Sequence, residues 1–140
     1  MTSNLRPKLL AVTNDLATLR SIADITAPHF ETIRVRDAAM ALSLIETDGN
    51  ISVMVSEHLQ IAGTDNTLLD LVRIRKGHIK RIMLTTYTDL SVIVHGLHTG
   101  SIQHVIHKPV NRIELLAVVG YPTPIAPPGV LPAATNRLVA

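Results

Sequence analysis

The chain has 140 residues, of which 46% are apolar and 17% charged, and its formal net charge is +2. This balance is typical of one globular domain and gives no reason to expect a nucleic-acid partner. Because the chain has no cysteine, disulfides, thiolate nucleophiles and cysteine-based zinc sites are excluded. The sequence shows neither a membrane-spanning apolar run nor an apolar leader near its N-terminus, so we expect a cytoplasmic protein without a membrane partner.

Short apolar runs alternate with segments of helical spacing along most of the chain. Each run is rich in β-branched residues or leucine and is bounded by polar residues, proline or glycine, which is typical of a buried strand. The predicted strands cover residues 8–13, 30–36, 51–56, 79–85 and 101–106.

A helix is predicted after each strand. The first helix is predicted over residues 15–27, and the candidate N-caps of the next four helices are Asp37, either Thr64 or Asp65, Asp89 and Asn111, in chain order. The fourth helix carries Leu90, Ile93, Val94 and Leu97 at the spacing of an apolar helix face.

Short buried strands joined by helices require right-handed parallel crossovers. We therefore predict an α/β fold, a doubly wound five-stranded parallel sheet flanked by five helices. In such sheets the functional site lies at the carboxyl ends of the strands. Five prolines in 120–140 predict an extended tail or linker there, so the folded domain is assigned to 1–119.

Three stretches resemble the receiver domain of two-component response regulators. They are residues 81–89 (RIMLTTYTD), residues 100–102 (GSI) and His107-Lys108-Pro109 after the fifth strand. The resemblance covers about residues 7–119 and implies a flavodoxin-like, CheY-like fold. It is greatest with receivers of cyclic-di-GMP phosphodiesterases and of hydrogenase-type transcription regulators.

The resemblance also implies a chemistry, the formation of an acyl phosphate on an aspartate at the end of the third strand. Two acids after the first strand hold Mg²⁺ in that family, while a hydroxyl and a lysine bind the phosphoryl group. Position by position, Lys108 matches the lysine and Thr85 the hydroxyl, with Thr86 as the alternative if the loop shifts by one residue.

The sequence departs from this pattern at several positions. Ser56 stands at the acceptor position, and Thr13 and Asn14 stand where the metal-binding acids are expected, which leaves Asp15 as the acid nearby. Val105 replaces the aromatic residue that rotates in the family. Because a serine hydroxyl cannot form an acyl phosphate and one carboxylate is a poor magnesium site, we expect a degenerate receiver, or pseudo-receiver, with weak or absent Mg²⁺ binding and no enzymatic activity.

Several side chains near this pocket have more than one interpretation. We expect Asp15 to contact Lys108, Ser56 to bond to backbone or Thr85, and Glu57 to be a solvated acid turned away by strand alternation. His58 and His107 are weak candidates for metal ligands. The basic residues Arg73, Arg75, Lys76, Lys80 and Arg81 are expected to form a solvated edge.

The predicted function is two-component signal transduction (phosphorelay) by a phosphorylation-independent protein-interaction module. By resemblance, its partner is a histidine kinase, a response regulator or an output enzyme, or a second copy in a homodimer. The partner surface would comprise His95, His98, Gln103, His104, Arg112 and Glu114. The alternatives are a receiver phosphorylated at an atypical residue and a histidine-based metal or pH sensor.

Overall fold

The computed structural model describes residues 6–86 and 90–120, in which strands and helices alternate. The strands are β1 (Lys8–Val12), β2 (Glu31–Val35), β3 (Ile51–Ser56), β4 (Lys80–Thr85) and β5 (His104–His107). The helices are α1 (Leu16–Thr26), α2 (Ala38–Thr47), α3 (Leu68–Arg75), α4 (Leu90–Thr99) and α5 (Arg112–Val119). The predicted Asp89 cap and the tail beyond Gly120 lie outside the described residues.

All neighbouring strands are parallel, in the order β2-β1-β3-β4-β5. The predicted doubly wound sheet is therefore confirmed. Successive side chains of β1 point to opposite faces of the sheet. Leu9 and Ala11 therefore lie in one apolar layer, and Leu10 and Val12 lie in the other. Helices α1 and α5 cover the first layer, and α2, α3 and α4 cover the second. The strand order reverses between β1 and β3, so the crevice outside their carboxyl ends is the expected site.

The start of α3 differs from the prediction. Its N-cap is Thr67, whose side chain accepts from the Asp70 N–H while the Asp70 carboxylate accepts from the Thr67 N–H. Thr64 instead closes a local turn, donating to the Ile61 carbonyl and accepting from the Asn66 N–H. The prediction of Thr64 or Asp65 as the cap was wrong because only Thr67 has an acid three residues later that completes a capping box.

Helix α4 is also less buried than its spacing indicates. Leu90, Val94 and Leu97 are 71%, 57% and 46% exposed, whereas Gly96 is buried against Ile102. The side chain of Ile102 occupies the position that a Cβ at residue 96 would take. The helix therefore faces the sheet through Gly96 and leaves an apolar stripe outward, which we call the α4 stripe (Leu90, Val94, Leu97).

Arg81 is not part of a solvated edge, because it is only 5% exposed. Its guanidinium donates to the carbonyls of Gly77, Ile79, Gly100 and Ser101, at 2.8–3.2 Å. Gly77 follows the end of α3 and Gly100 follows the end of α4. The negative ends of two helix dipoles thus stabilise this buried cation.

None of the helices within 6–86 and 90–120 is long and apolar enough to cross a membrane.

Candidate functional site

The carboxyl ends of β1, β3, β4 and β5 bring the predicted pocket residues together. The Glu57 N–H donates to the Val12 carbonyl at 3.1 Å, and the Lys108 N–H donates to the Thr85 carbonyl at 2.8 Å. A cavity of about 240 Å³ lies at this edge, lined by Glu57, His58, Thr85 and Lys108 among others. The position matches the crevice expected for a doubly wound sheet.

Ser56 occupies the last position of β3 and is fully buried. Its hydroxyl donates to the backbone carbonyl of Glu57 at 2.7 Å, as expected for a small polar residue that bonds to backbone. Burial without this bond would be unfavourable, because a hydroxyl that loses water needs a partner. The side chain is thus satisfied locally.

Glu57 is the main partner of Lys108, and the prediction that it is a solvated acid was wrong. Its Oε2 accepts from Lys108 Nζ and from the Thr13 hydroxyl. Strand β3 ends at Ser56, so the alternation that would turn Glu57 away no longer applies. The side chains of Glu57 and Lys108 are 28% and 18% exposed, which partly shields their ion pair from water.

Asp15 makes the predicted contact with Lys108, at 3.7 Å between Oδ2 and Nζ. Its main role in the structure is to cap α1: Oδ1 accepts from the N–H groups of Ala17 and Thr18, and Oδ2 from the Thr18 hydroxyl at 2.6 Å. The hydrogen bonds from Thr18 lower the pKa of Asp15, and Lys108 adds a smaller effect. The acid nearest the end of β1 is therefore ionised and already engaged.

These contacts leave a donor set that does not suit the Mg²⁺ that the fold family implies. Thr13 donates to Glu57, and Asn14 Oδ1 accepts from Arg36 at 3.3 Å. Magnesium needs near-octahedral oxygen ligands, usually carboxylates. The two carboxylates here are held by a lysine and by a helix N-terminus.

The remaining predicted site residues have varied surroundings. Val105 lies beside Met83 in the sheet register and packs, half-buried, on the second apolar layer. His58 and His107 are exposed. No group of three or more potential ligands that could hold a metal occurs within the part of the chain that the structure describes.

The predicted partner surface is largely exposed, and Glu114 is the exception among its six residues. His95, His98, His104 and Arg112 are exposed. Glu114 is half-buried, and Gln103, although exposed, uses Oε1 to accept the Arg81 N–H at 2.8 Å.

Sequence reasoning missed the apolar part of this surface. The α4 stripe is exposed, and Ile113 in the first turn of α5 is 80% exposed. A signal was present, because α4 has more apolar residues than one inward stripe can hold.

Solved structures of several proteins are similar to this chain. A receiver domain of an HD domain-containing protein from Pseudomonas fluorescens is 26% identical, with a TM-score of 0.72 over 82% of this chain and 92% of that one. A CheY-like response regulator receiver domain protein from Methanospirillum hungatei is 27% identical, with a TM-score of 0.70 over 84% and 92%. No protein-family model and no curated protein sequence matches the chain.

The fold and the strand order agree with these structures. The chain has the CheY-like fold of a response-regulator receiver domain, the domain class of two-component signalling.

Proposed function

We propose that this protein is a pseudo-receiver, which signals through protein contacts without receiving a phosphoryl group on an aspartate. The observation that carries the proposal is the ion pair of Lys108 with Glu57, beside a buried Ser56 at the acceptor position. In the receiver family the lysine binds a phosphoryl oxygen. Here a neighbouring carboxylate already supplies the negative charge that the lysine would otherwise take from a phosphoryl group.

The arrangement also opposes phosphoryl binding electrostatically. A phosphoryl group entering beside Glu57 and Asp15 would meet two carboxylates, with Lys108 as the cation that contacts both. Without Mg²⁺ to neutralise this charge, like-charge repulsion is unfavourable in a partly buried site. The carboxylates that face Lys108 therefore belong to the chain itself.

The partner surface of this proposal is the face formed by α4, β5 and α5. The α4 stripe and Ile113 supply exposed apolar area, and His95, His98, His104 and Arg112 supply polar groups around it. Apolar side chains surrounded by polar ones are typical of protein interfaces. A histidine kinase, a response regulator, an output enzyme or a second copy of this chain would suit this face. In this proposal the protein acts in the cytoplasm and has no catalytic activity of its own.

Within the receiver class, we infer a closer relation to receivers of cyclic-di-GMP phosphodiesterases and of hydrogenase-type regulators. The sequence stretches 81–89 and 107–109 support this assignment.

Amide NMR spectra with and without Mg²⁺ plus beryllofluoride, a mimic of the aspartyl phosphate, test the proposal. We expect no saturable shifts at Ser56, Thr85 or Lys108, because the acceptor is absent and the lysine is paired. Mg²⁺ alone and fluoride alone are the controls for non-specific effects. Saturable shifts at those three residues would contradict the proposal, and Glu57→Gln would then show whether Glu57 is the group that responds.

A substitution in the α4 stripe tests the partner surface. Val94→Glu should remove partner binding without loss of thermal stability, since Val94 is 57% exposed. The matched control is Ile74→Glu on α3, which is 59% exposed and lies on a different helix.

The wild type, Val94→Glu and Ile74→Glu would each be immobilised and exposed to an extract of the source organism. Quantitative mass spectrometry would then measure the proteins that each retains, and sedimentation would detect dimers. We expect proteins retained by the wild type and by Ile74→Glu to be lost with Val94→Glu. Equal retention by all three forms would rule out this face.

A further inference from the structure

A second cavity lies between α3 and α4, next to the ion-pair pocket, with which it shares His58 and Val92 as lining residues. Its volume is about 360 Å³, within the range of small-molecule sites. Leu69, Val92 and Ile102 provide apolar lining, and Asp70 and Ser101 provide polar groups. Leu69, Ile102 and Ser101 are buried. The inner wall of the cavity is therefore formed by side chains of the protein interior.

The Asp70 carboxylate is the charged group of this cavity. Oδ1 accepts from the Ser101 hydroxyl at 2.6 Å, and Oδ2 accepts from the Thr67 N–H at 3.0 Å. Burial raises the pKa of Asp70, but the hydrogen bonds from Ser101 and Thr67, with the charge of Arg73, outweigh burial and hold it below its ordinary value. Asp70 is thus an anion at neutral pH, and two carboxylate oxygens retain capacity for further donors.

The surroundings of Asp70 favour a neutral donor over a cation. Arg73 Nε donates to the Ser101 hydroxyl at 3.1 Å, and Ser101 in turn donates to Asp70. The guanidinium therefore already offsets part of the carboxylate charge. An anionic ligand would still meet Asp70 and would be disfavoured.

We propose that the cavity between α3 and α4 binds a small, mainly apolar molecule that donates a hydrogen bond to Asp70. The apolar walls take the body of the molecule, and the carboxylate fixes its orientation. His58 and His95, both exposed, also line the cavity and can make further polar contacts. Neither Ser56 nor Lys108 lines this cavity, so the binding test below does not use the residues on which the pseudo-receiver proposal rests.

Indole is a suitable probe, because it is apolar, fits such a volume and carries one N–H donor. Amide NMR titration of the full chain should give saturable shifts centred on Leu69, Asp70, Gly96 and Ile102. 1-Methylindole, which lacks the donor, should bind about three- to tenfold more weakly. Indole-3-carboxylate should bind more weakly still, because its charge opposes that of Asp70.

Two variants on α4 separate this site from non-specific binding. Ser91 lines the cavity and His98 does not, and both are exposed. Ser91→Phe should abolish the saturable indole shifts by filling the cavity, while His98→Phe should leave them unchanged.

Three results would overturn the proposal: no saturable shifts with indole, equal affinity for indole and 1-methylindole, or unaltered binding by a folded Ser91→Phe variant. If Ser91→Phe does not fold, Asp70→Asn replaces it as the test. Its amide side chain still accepts a hydrogen bond but has no charge, so discrimination against indole-3-carboxylate should disappear. If the Asp70→Asn variant still bound indole-3-carboxylate more weakly than indole, the proposed role of the carboxylate would be contradicted.

Discussion

Replacing Arg81 with methionine is expected to lower the free energy of unfolding by about 3 kcal/mol. The guanidinium donates to the carbonyls of Gly77, Ile79, Gly100 and Ser101. Methionine keeps the apolar stem but leaves these carbonyls with fewer donors in a buried place, and unsatisfied buried acceptors are costly. Because Arg81 connects the segments that follow α3 and α4, both helix ends should loosen in the variant.

Chemical denaturation followed by circular dichroism measures this effect, with Arg75→Met as the matched control. Arg75 pairs with Glu46 at the surface, and both side chains are 45% exposed. The control should cost less than about 1 kcal/mol, because exposed ion pairs contribute little. Equal losses for the two variants would mean that the carbonyl contacts of Arg81 do not stabilise the fold.

Arg81 also illustrates why composition alone misplaces charged residues. Arg73, Arg75, Lys76, Lys80 and Arg81 are close in sequence, so a solvated basic edge is the simplest prediction. The polar partners of Arg81 are backbone carbonyls of segments up to 20 residues away. Carbonyls carry no sequence signature, so only the packed fold reveals that a cation can be satisfied there.

The fold itself could be predicted because its signals are local. Residues 51–56 form β3 as predicted, and the predicted N-caps Asp37 and Asn111 are N-caps in the structure. Short apolar runs, capping residues and the handedness of crossovers each act over a few residues or are general to parallel sheets. Boundaries were less accurate: β5 begins at His104, not Ser101, because residues 101–103 bond to the helix end and to β4 outside the ladder.

The site was predictable in position but not in pairing. Thr13, Ser56, Thr85 and Lys108 lie at one edge of the sheet because the carboxyl ends of parallel strands meet there. The partner of Lys108 depends on how the chain turns after β3, which alternation does not describe. Asp15 was expected to be that partner, but its hydrogen-bonding capacity is largely used to cap α1, and Glu57 takes the closer contact.

Restoring the acids of the receiver family should create phosphoryl-mimic binding, which we expect to be absent in the wild type. The variant combines Thr13→Asp, Asn14→Asp, Ser56→Asp and Glu57→Gln. The first two changes supply carboxylates for Mg²⁺, the third supplies the acceptor, and the fourth releases Lys108 from its ion pair. Thr13 and Ser56 are fully buried, so the new carboxylates should destabilise the metal-free protein.

Added Mg²⁺ should reverse that loss, since an ion that binds only the folded state stabilises it by about 2.7 kcal/mol at a hundredfold excess over its dissociation constant. Beryllofluoride should then give saturable amide shifts at Thr85 and Lys108. The matched control has Ser56→Asn in the same background, which keeps the size of the side chain but offers no acceptor carboxylate. If the variants with Ser56→Asp and with Ser56→Asn both responded, beryllofluoride would be binding at a residue other than 56. A folded, magnesium-binding variant with no response would contradict the proposal that these four positions prevent phosphoryl binding. Val105, which by resemblance replaces the rotating aromatic residue, would then be the next residue to test.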